Sequence, residues 1–319
     1  MRGIWFWIAL VAIFVAGNVL TLTIENTFLF YAGYTVLQFV VLATAWNILG
    51  GFTGYVNFGS AAFFAVGAYT SIALQKWLGL PLPLLIVAGG VVAGLIGLGV
   101  GFLTLRLRGV FFAIATLALA VVLETVVTNW EYVGGAKGTY VIPPDGMLYF
   151  DEFIEGLFAV MLLLALFAVG VAKAINDSRF GRGLAAIRDD EVAAEATGVP
   201  TLRLKLISTT VSGALMGIAG APYPLYVTYV DPVSAFNLTY AVNAIAMPLI
   251  GGTTVWFGPV IGALLLGVMQ QWLTVVQLFE GAGQELNLLV VGVMLVGFVI
   301  LAPQGIVGLI RRLFGRRKA

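Results

Sequence analysis

The sequence contains no cysteine and no histidine. Without cysteine there are no disulfide bonds and no thiolate nucleophiles, and without histidine the commonest side chain for acid–base chemistry and metal binding is missing. Charge is scarce as well, because charged residues make up 10% of the chain and hydrophobic residues 61%. Soluble domains carry about 25% charged residues. The composition therefore indicates a membrane protein and disfavours an enzyme.

Long apolar segments fill most of the chain. About ten of them approach the ~20 residues that an α-helix needs to cross the hydrocarbon layer of a bilayer. They are residues 4–22, 28–49, 59–75, 82–105, 110–128, 154–174, 206–226, 240–255, 259–278 and 286–302. We expect the first to be a retained helix rather than a cleaved signal, because further spans follow it. The pattern predicts an all-α fold, a polytopic transmembrane bundle of about ten spans in a single domain, residues 1–319.

Basic residues are distributed unevenly between the two sides of this bundle. An even number of spans places both termini on one side, and all Lys and Arg residues except Lys76 and Lys137 then share that side. Cytoplasmic loops of membrane proteins carry such an excess. We therefore predict a multi-pass protein of a bacterial or archaeal cytoplasmic (inner) membrane, with both termini in the cytoplasm.

Two connections are longer than a turn. The outer one, residues 130–153, is rich in glycine and proline and is predicted to be an ordered loop. The inner one, residues 175–205, has Asp177 or Ser178 as an N-cap, an alanine-rich run, and stop signals near its end. It is predicted to form a short cytoplasmic helix or a helix pair.

Two glycine-rich breaks interrupt the apolar pattern. Residues 47–60 read NILGGFTGYVNFGS, and residues 248–259 read PLIGGTTVWFGP. Broken helices at corresponding positions are typical of a translocation path, because freed backbone groups inside a membrane are tolerated where they line a cavity. The alternative is two tight cytoplasmic turns whose glycines serve helix packing. The candidate path residues are Asn47, Gly50, Gly51, Gly54, Asn57, Gly59, Ser60, Asn243, Gly251, Gly252 and Gly258. Interhelical hydrogen bonding is the alternative role for the two buried asparagines, Asn47 and Asn243.

Several stretches together resemble the permease subunits of branched-chain amino acid ABC importers. The longest reads GRGLAAIRDDEVAAEATGVP, at residues 181–200. Further similar stretches are residues 50–70, 105–118, 212–221 and 250–263. Within that family the chain is more similar to the second, M-type permease subunit.

The resemblance implies the membrane-spanning permease of an ATP-driven importer for branched-chain or other apolar amino acids. It also implies a heterodimer with a related permease, two cytoplasmic ATPase subunits and an external soluble binding protein. No cofactor and no nucleic acid are expected. The sequence lacks a G-x-x-x-x-G-K-S/T loop, so separate subunits hydrolyse ATP and this chain is not an enzyme. Family relatives carry urea or short amides, and the sequence does not separate these cargoes.

The inner loop is then the expected coupling loop that docks onto the ATPases. Residues 195–198, EATG, resemble the core of a coupling motif, with Thr197 where many such motifs have alanine. The candidate coupling residues are Arg182, Arg188, Asp189, Asp190, Glu191, Glu195 and Gly198. On one continuous helix, Arg188, Glu191 and Glu195 would share a face. An ordinary solvated loop is the alternative.

Two other classes of function compete with the importer. A secondary transporter driven by an ion gradient would need acidic or unwound ion sites near the bilayer midplane, and few acids are placed for that. An intramembrane enzyme would need histidine, cysteine or paired carboxylates inside the spans. Both are less favoured by the sequence.

Overall fold

A computed structural model describes residues 2–23, 26–143, 150 and 152–276, with 289, 292–293, 296–297 and 305–309 beyond them. Most of the predicted tenth span, residues 286–302, and all basic residues from 311 onward lie outside the described residues. The described part is almost entirely helical, so the all-α class is confirmed.

The helices follow one another with short connections. The first six are α1 (Arg2–Thr23), α2 (Thr27–Thr53), α3 (Ser60–Leu78), α4 (Leu82–Thr104), α5 (Val110–Thr128) and α6 (Phe153–Asp177). Next come α7 (Arg179–Asp189), α8 (Glu191–Ala196), α9 (Thr201–Gly220) and α10 (Tyr223–Val227). The last are α11 (Pro232–Ala235), α12 (Leu238–Gly251) and α13 (Gly258–Val276).

Seven described segments are long and apolar enough to cross a membrane. They are Ile4–Thr21, Thr27–Thr53, Leu82–Thr104, Val110–Thr128, Phe153–Asp177, Thr201–Val227 and Pro232–Gly251. The multi-pass class is thus confirmed, whereas the predicted count of about ten spans is not. Helices α3 and α13 have 19 residues each but are not among the seven.

The bundle has two distinct ends. At one end, called the outer end here, 3₁₀ turns at Glu131–Val133 and Gly135–Lys137 lead into strand β1 (Thr139–Tyr140). This strand pairs antiparallel with β2 (Tyr229–Val230) and so ties the predicted outer loop to the connection between α10 and α11. Helices α7 and α8 occupy the opposite, inner end, since the 25 residues of α6 rise roughly 37 Å between the outer loop and α7.

Helix α2 lies at the centre of the fold. Every residue from 38 to 53 is buried, and the helix packs against α6, α9, α12 and α13. Its surface is apolar on almost all sides, as expected of a helix that is surrounded by other helices.

Helices α3, α4 and α9 meet through glycines. A Cβ placed on Gly67 would overlap the backbone of Gly217, and one placed on Gly89 would lie 3.2 Å from the carbonyl oxygen of Gly67. Small residues let membrane helices approach until their backbones touch, where dispersion contacts replace the missing hydrophobic drive. These three helices therefore form one tightly packed layer beside α2.

Candidate coupling and translocation site

The inner end carries the predicted helix pair. Ser178, rather than Asp177, caps α7, because its Oγ accepts a hydrogen bond from the backbone N–H of Gly181 at 3.1 Å. Asp190 caps α8 by accepting hydrogen bonds from the N–H groups of Val192 (2.9 Å) and Ala193 (3.0 Å). Helix α8 ends before Gly198, whose φ of +86° suits glycine. Local capping chemistry thus explains where the two short helices of this loop begin and end.

The helix pair corrects the predicted shared face of Arg188, Glu191 and Glu195. Asp190 is extended, with φ −161° and ψ 110°, so the helical phase is interrupted between Arg188 and Glu191. Arg188 contacts the carboxylate of its neighbour Asp189 at 3.2 Å. It also lies beside Gly54, since a Cβ added to Gly54 would be 3.4 Å from the Cγ of Arg188. The prediction that Arg188, Glu191 and Glu195 share one face of a continuous helix is therefore wrong.

Glu191 points into the protein, where it joins a polar cluster with Lys205, Tyr55 and Arg108. Lys205 Nζ donates to Glu191 Oε1 at 2.6 Å, and the Tyr55 hydroxyl donates to Glu191 Oε2. Arg108 lies further away, at 3.7 Å from Glu191 Oε1, and its side chain is more than half exposed. The lysine side chain is 3% exposed and the glutamate side chain 13%, so a buried ammonium group pairs with a partly buried carboxylate.

The electrostatics of the cluster keep Glu191 ionised. Burial raises the pKa of its carboxyl group, but the hydrogen bonds from Lys205 and Tyr55 and the charges of Lys205 and Arg108 outweigh it. The pKa of Glu191 is consequently lowered from its ordinary value, and the ion pair persists at neutral pH.

The side of the helix pair opposite Glu191 is exposed and points away from the bundle. Arg182, Asp189 and Glu195 are exposed, although Glu195 Oε1 accepts a hydrogen bond from Thr201 Oγ1 at 2.6 Å. Val192 is also 61% exposed. The exposed face of α7 and α8 therefore combines both signs of charge with a large apolar side chain.

The first glycine-rich break forms a non-helical segment, residues 54–59, that turns back into the bundle. Trp46 Nε1 donates to the carbonyl of Asn57 at 2.8 Å, although Trp46 lies seven residues, or roughly 10 Å, before the end of α2. On the other side, the N–H of Phe58 donates to Thr116 Oγ1 at 3.1 Å, well inside α5. We call residues 54–59 the re-entrant segment. The carbonyl of Asn57 and the N–H of Phe58 are thus satisfied by side chains rather than by a helix.

The two glycine-rich breaks meet at the inner end. A Cβ on Gly51 would lie 2.7 Å from the carbonyl oxygen of Thr253, which belongs to the second break. In that break, Gly251 ends α12 and Gly258 begins α13. A Cβ added to Gly251 would overlap the backbone of Gly258, and a Cβ added to Gly258 would overlap the backbone of Gly252. The second break is thus a tight connection between two closely packed helices.

Polar side chains near the breaks differ in how they are satisfied. Asn243 accepts a hydrogen bond from Gln270 Nε2 at 3.0 Å, which joins α12 to α13. Both polar side-chain atoms of Asn47, and the hydroxyl of Ser60, are buried without a hydrogen-bond partner among the described residues. Unsatisfied buried groups are uncommon and call for an explanation such as a ligand or a moving part.

The space beside the re-entrant segment is almost closed. A cavity of about 10 Å³ lies against Asn57, Gly59 and Thr116. A larger cavity of about 590 Å³ lies elsewhere, between α3, α4 and α5 near the outer end, and its walls are apolar. Two of the predicted path residues, Asn57 and Gly59, therefore line a small cavity.

The family of branched-chain amino acid transport system permease components matches residues 27–299. This chain belongs to that family. The high-affinity branched-chain amino acid permease LivM of Salmonella typhimurium is 28% identical over 298 residues, covering 86% of this chain and 68% of LivM. LivM of Escherichia coli has the same identity and coverage. The probable branched-chain amino acid permease LivH of Methanocaldococcus jannaschii is 26% identical over 271 residues, 80% of this chain and 84% of LivH. No solved structure gives a significant match.

The resemblance to M-type permease subunits is confirmed. Sequence reasoning missed members of the polar cluster at the inner end. Tyr55 lies inside the first break without having been singled out, and Lys205 counted only as a topology charge. Val192, the exposed apolar residue of α8, was also missed. A lysine four residues into a helix that follows the acidic run at residues 189–191 was the available signal for Lys205.

Proposed function

We propose that this chain is the membrane-spanning permease subunit of an ATP-driven importer, and that it translocates branched-chain or other apolar amino acids delivered by a soluble binding protein. Two cytoplasmic ATPase subunits hydrolyse the ATP, and a related permease completes a heterodimer. Membership of the permease family and the amino acid cargo named for LivM and LivH support this assignment. Both termini and the helix pair then face the cytoplasm.

The observation that carries the proposal is the helix pair α7–α8 at the inner end. It is a compact element with defined caps, and its outward face presents Arg182, Asp189, Val192 and Glu195. The inward face is fixed to the bundle by the buried pair of Glu191 and Lys205. An element that is both exposed to a partner and rigidly attached to the spans can transmit a push from an ATPase.

The cargo path is proposed to run beside the two breaks, where they meet near Gly51. Asn47 and Ser60 have buried polar side-chain atoms without a hydrogen-bond partner among the described residues, and such atoms could contact a polar cargo. Glycine allows the backbone to line such a path closely. Small amides or urea would need the same polar groups, so the path does not separate them from amino acids.

Reconstitution tests this function. Proteoliposomes containing the tagged chain, its co-purified partners and the binding protein are expected to take up radiolabelled leucine only when ATP is supplied to the ATPase side. The same assay with labelled urea compares the two cargo classes. Leucine uptake by the chain alone, driven by a proton or sodium gradient, would overturn the proposal in favour of a secondary transporter. Failure of any ATPase to co-purify in mild detergent would also count against it.

A further inference from the structure

Lys205 places its three N–H donors on three different structural elements. Its Nζ lies 2.6 Å from Glu191 Oε1 on α8, 3.0 Å from the Tyr55 hydroxyl and 3.3 Å from the carbonyl oxygen of Leu105. Leu105 immediately follows α4, and Tyr55 belongs to the re-entrant segment. An ammonium group has three donors and no acceptor, so this arrangement uses all of them.

The burial of this charge needs a reason beyond membrane topology. A lysine near the end of a membrane helix satisfies the positive-inside rule while its long stem reaches out to water. Arg203, two residues away on α9, is exposed in that way. Lys205 instead turns inward, is 3% exposed and also lies 4.6 Å from the ring centre of Tyr55. Burying an ion pair contributes little net stability, but it defines one geometry.

Helix α8 depends on this geometry for its position. It has six residues, which are too few to form a stable helix alone, and Ala194 is its only buried residue. Its attachment to the bundle therefore rests on polar contacts, above all Glu191 with Lys205 and Tyr55.

From Tyr55 the contacts continue into the spans. Its ring packs edge to face against Phe112 of α5, with ring centres 5.2 Å apart. Two residues further along the re-entrant segment, the carbonyl of Asn57 accepts a hydrogen bond from Trp46 of α2. The N–H of the next residue, Phe58, donates a hydrogen bond to Thr116 of α5. The contacts thus run without a gap from α8 to α5 through Glu191 and Tyr55.

We propose that Lys205 and Tyr55 are positioning residues that lock the coupling helix α8 to the re-entrant segment through Glu191, so that the ATPase-docking surface and the translocation break move as one body. This inference rests on the proposed importer function and adds to it the residues that carry the coupling. It assigns Lys205 and Tyr55 a role in transport efficiency rather than in ATPase binding.

The test measures leucine uptake and ATP hydrolysis separately in the same proteoliposomes, and takes their ratio. Tyr55→Phe removes one hydroxyl and keeps the ring against Phe112. We expect the ATPases to remain bound and ATP hydrolysis to persist, while uptake per ATP falls about fivefold or more, the size of a typical coupling effect. Lys205→Met should lower the ratio further, and Lys205→Arg, which keeps the charge, should restore part of it.

Arg203→Met is the matched control, because it removes the same charge from the same helix at an exposed position. Its uptake per ATP should equal that of the wild type. If Tyr55→Phe keeps the wild-type ratio, or if Arg203→Met lowers the ratio as much as Lys205→Met, the positioning role is refuted. Tyr55→Phe decides the question if Lys205→Met fails to insert. Failure of the importer assignment is distinguishable, since the wild-type protein itself would then show no ATP-dependent uptake.

Discussion

Alanine at Gly67 is predicted to destabilise the permease by forcing α3 and α9 apart. A Cβ on Gly67 would lie 2.7 Å from both the carbonyl carbon and the Cα of Gly217, and nearer still to its carbonyl oxygen. Ordinary van der Waals contact begins at 3.4 Å. The two backbones therefore have to separate locally by at least ~0.7 Å, and a gap of that size forfeits a quarter to a half of each dispersion contact along the interface.

The expected net effect is a loss of about 0–2.5 kcal/mol, with a central value of ~1 kcal/mol. Overpacking of a well-packed site costs about 1–3 kcal/mol. Alanine recovers about 0.5–1 kcal/mol, because glycine is unfavourable in a helix interior. Gly99 provides the control for that second contribution. It lies in α4, is exposed, and an added Cβ would meet nothing within 4 Å. Gly99→Ala should therefore leave stability unchanged or raise it slightly.

Thermal unfolding in detergent micelles measures the difference, with the emission of the seven tryptophans as the signal. Gly67→Ala should unfold a few degrees below the wild type, on the order of 2–4 °C per kcal/mol, and Gly99→Ala at or above it. If the two variants unfold at the same temperature, the backbones of α3 and α9 do not approach as closely as described, and the argument for a glycine-packed layer fails.

Three further predictions concern the inner end. Gly198→Pro should weaken ATPase binding, because proline cannot adopt φ +86° and loses the N–H bond to the carbonyl of Glu195, a cost of about 3 kcal/mol. Gly198→Asn should be tolerated, because asparagine can adopt a positive φ. Co-purification of the ATPases with each variant compares the two. Glu195→Lys should lower ATPase binding about fivefold or more by reversing an exposed charge, whereas Thr201→Val, which removes only its internal partner, should not. A cysteine at Lys137 should react with an impermeant thiol reagent in intact cells, and one at Arg188 only after the membrane is opened; the opposite result would invert the topology.

Helix ends were the part of the fold that the sequence predicted best. Helix α5 occupies residues 110–128 as predicted, and the pair α7–α8 begins at Ser178 and ends before Gly198. Glycine, proline and capping residues mark these positions by backbone chemistry that acts over a few residues. Hydropathy worked less well for α9. The predicted span began at residue 206, whereas the helix begins at Thr201, because a lysine lowers local hydropathy even when its side chain is buried and paired.

The contacts of the inner cluster could not be predicted in this way. Tyr55 and Lys205 are 150 residues apart in the chain, and neither has a local pattern that names the other. The depth of the re-entrant segment was equally hidden, since Trp46 and Thr116 hold it from two helices that come before and after it. Asp190 stays a predicted docking residue, and its side chain also caps α8. Tertiary contacts decide which distant residues meet, and sequence spacing does not reveal them.

The two kinds of contact around α9 suit different tasks in a transport cycle. Glycine contacts with α3 and α4 depend on shape and tolerate no separation, so these three helices have to move together. The polar contacts of Lys205 are directional, and sliding α8 along the bundle would leave a buried ammonium with unpaired donors. An apolar contact of the same area would allow that sliding at little cost. A charged pair at the base of the coupling loop therefore prevents slip between α8 and the spans, and the glycine layer passes any displacement of α9 on to α3 and the re-entrant segment that precedes it.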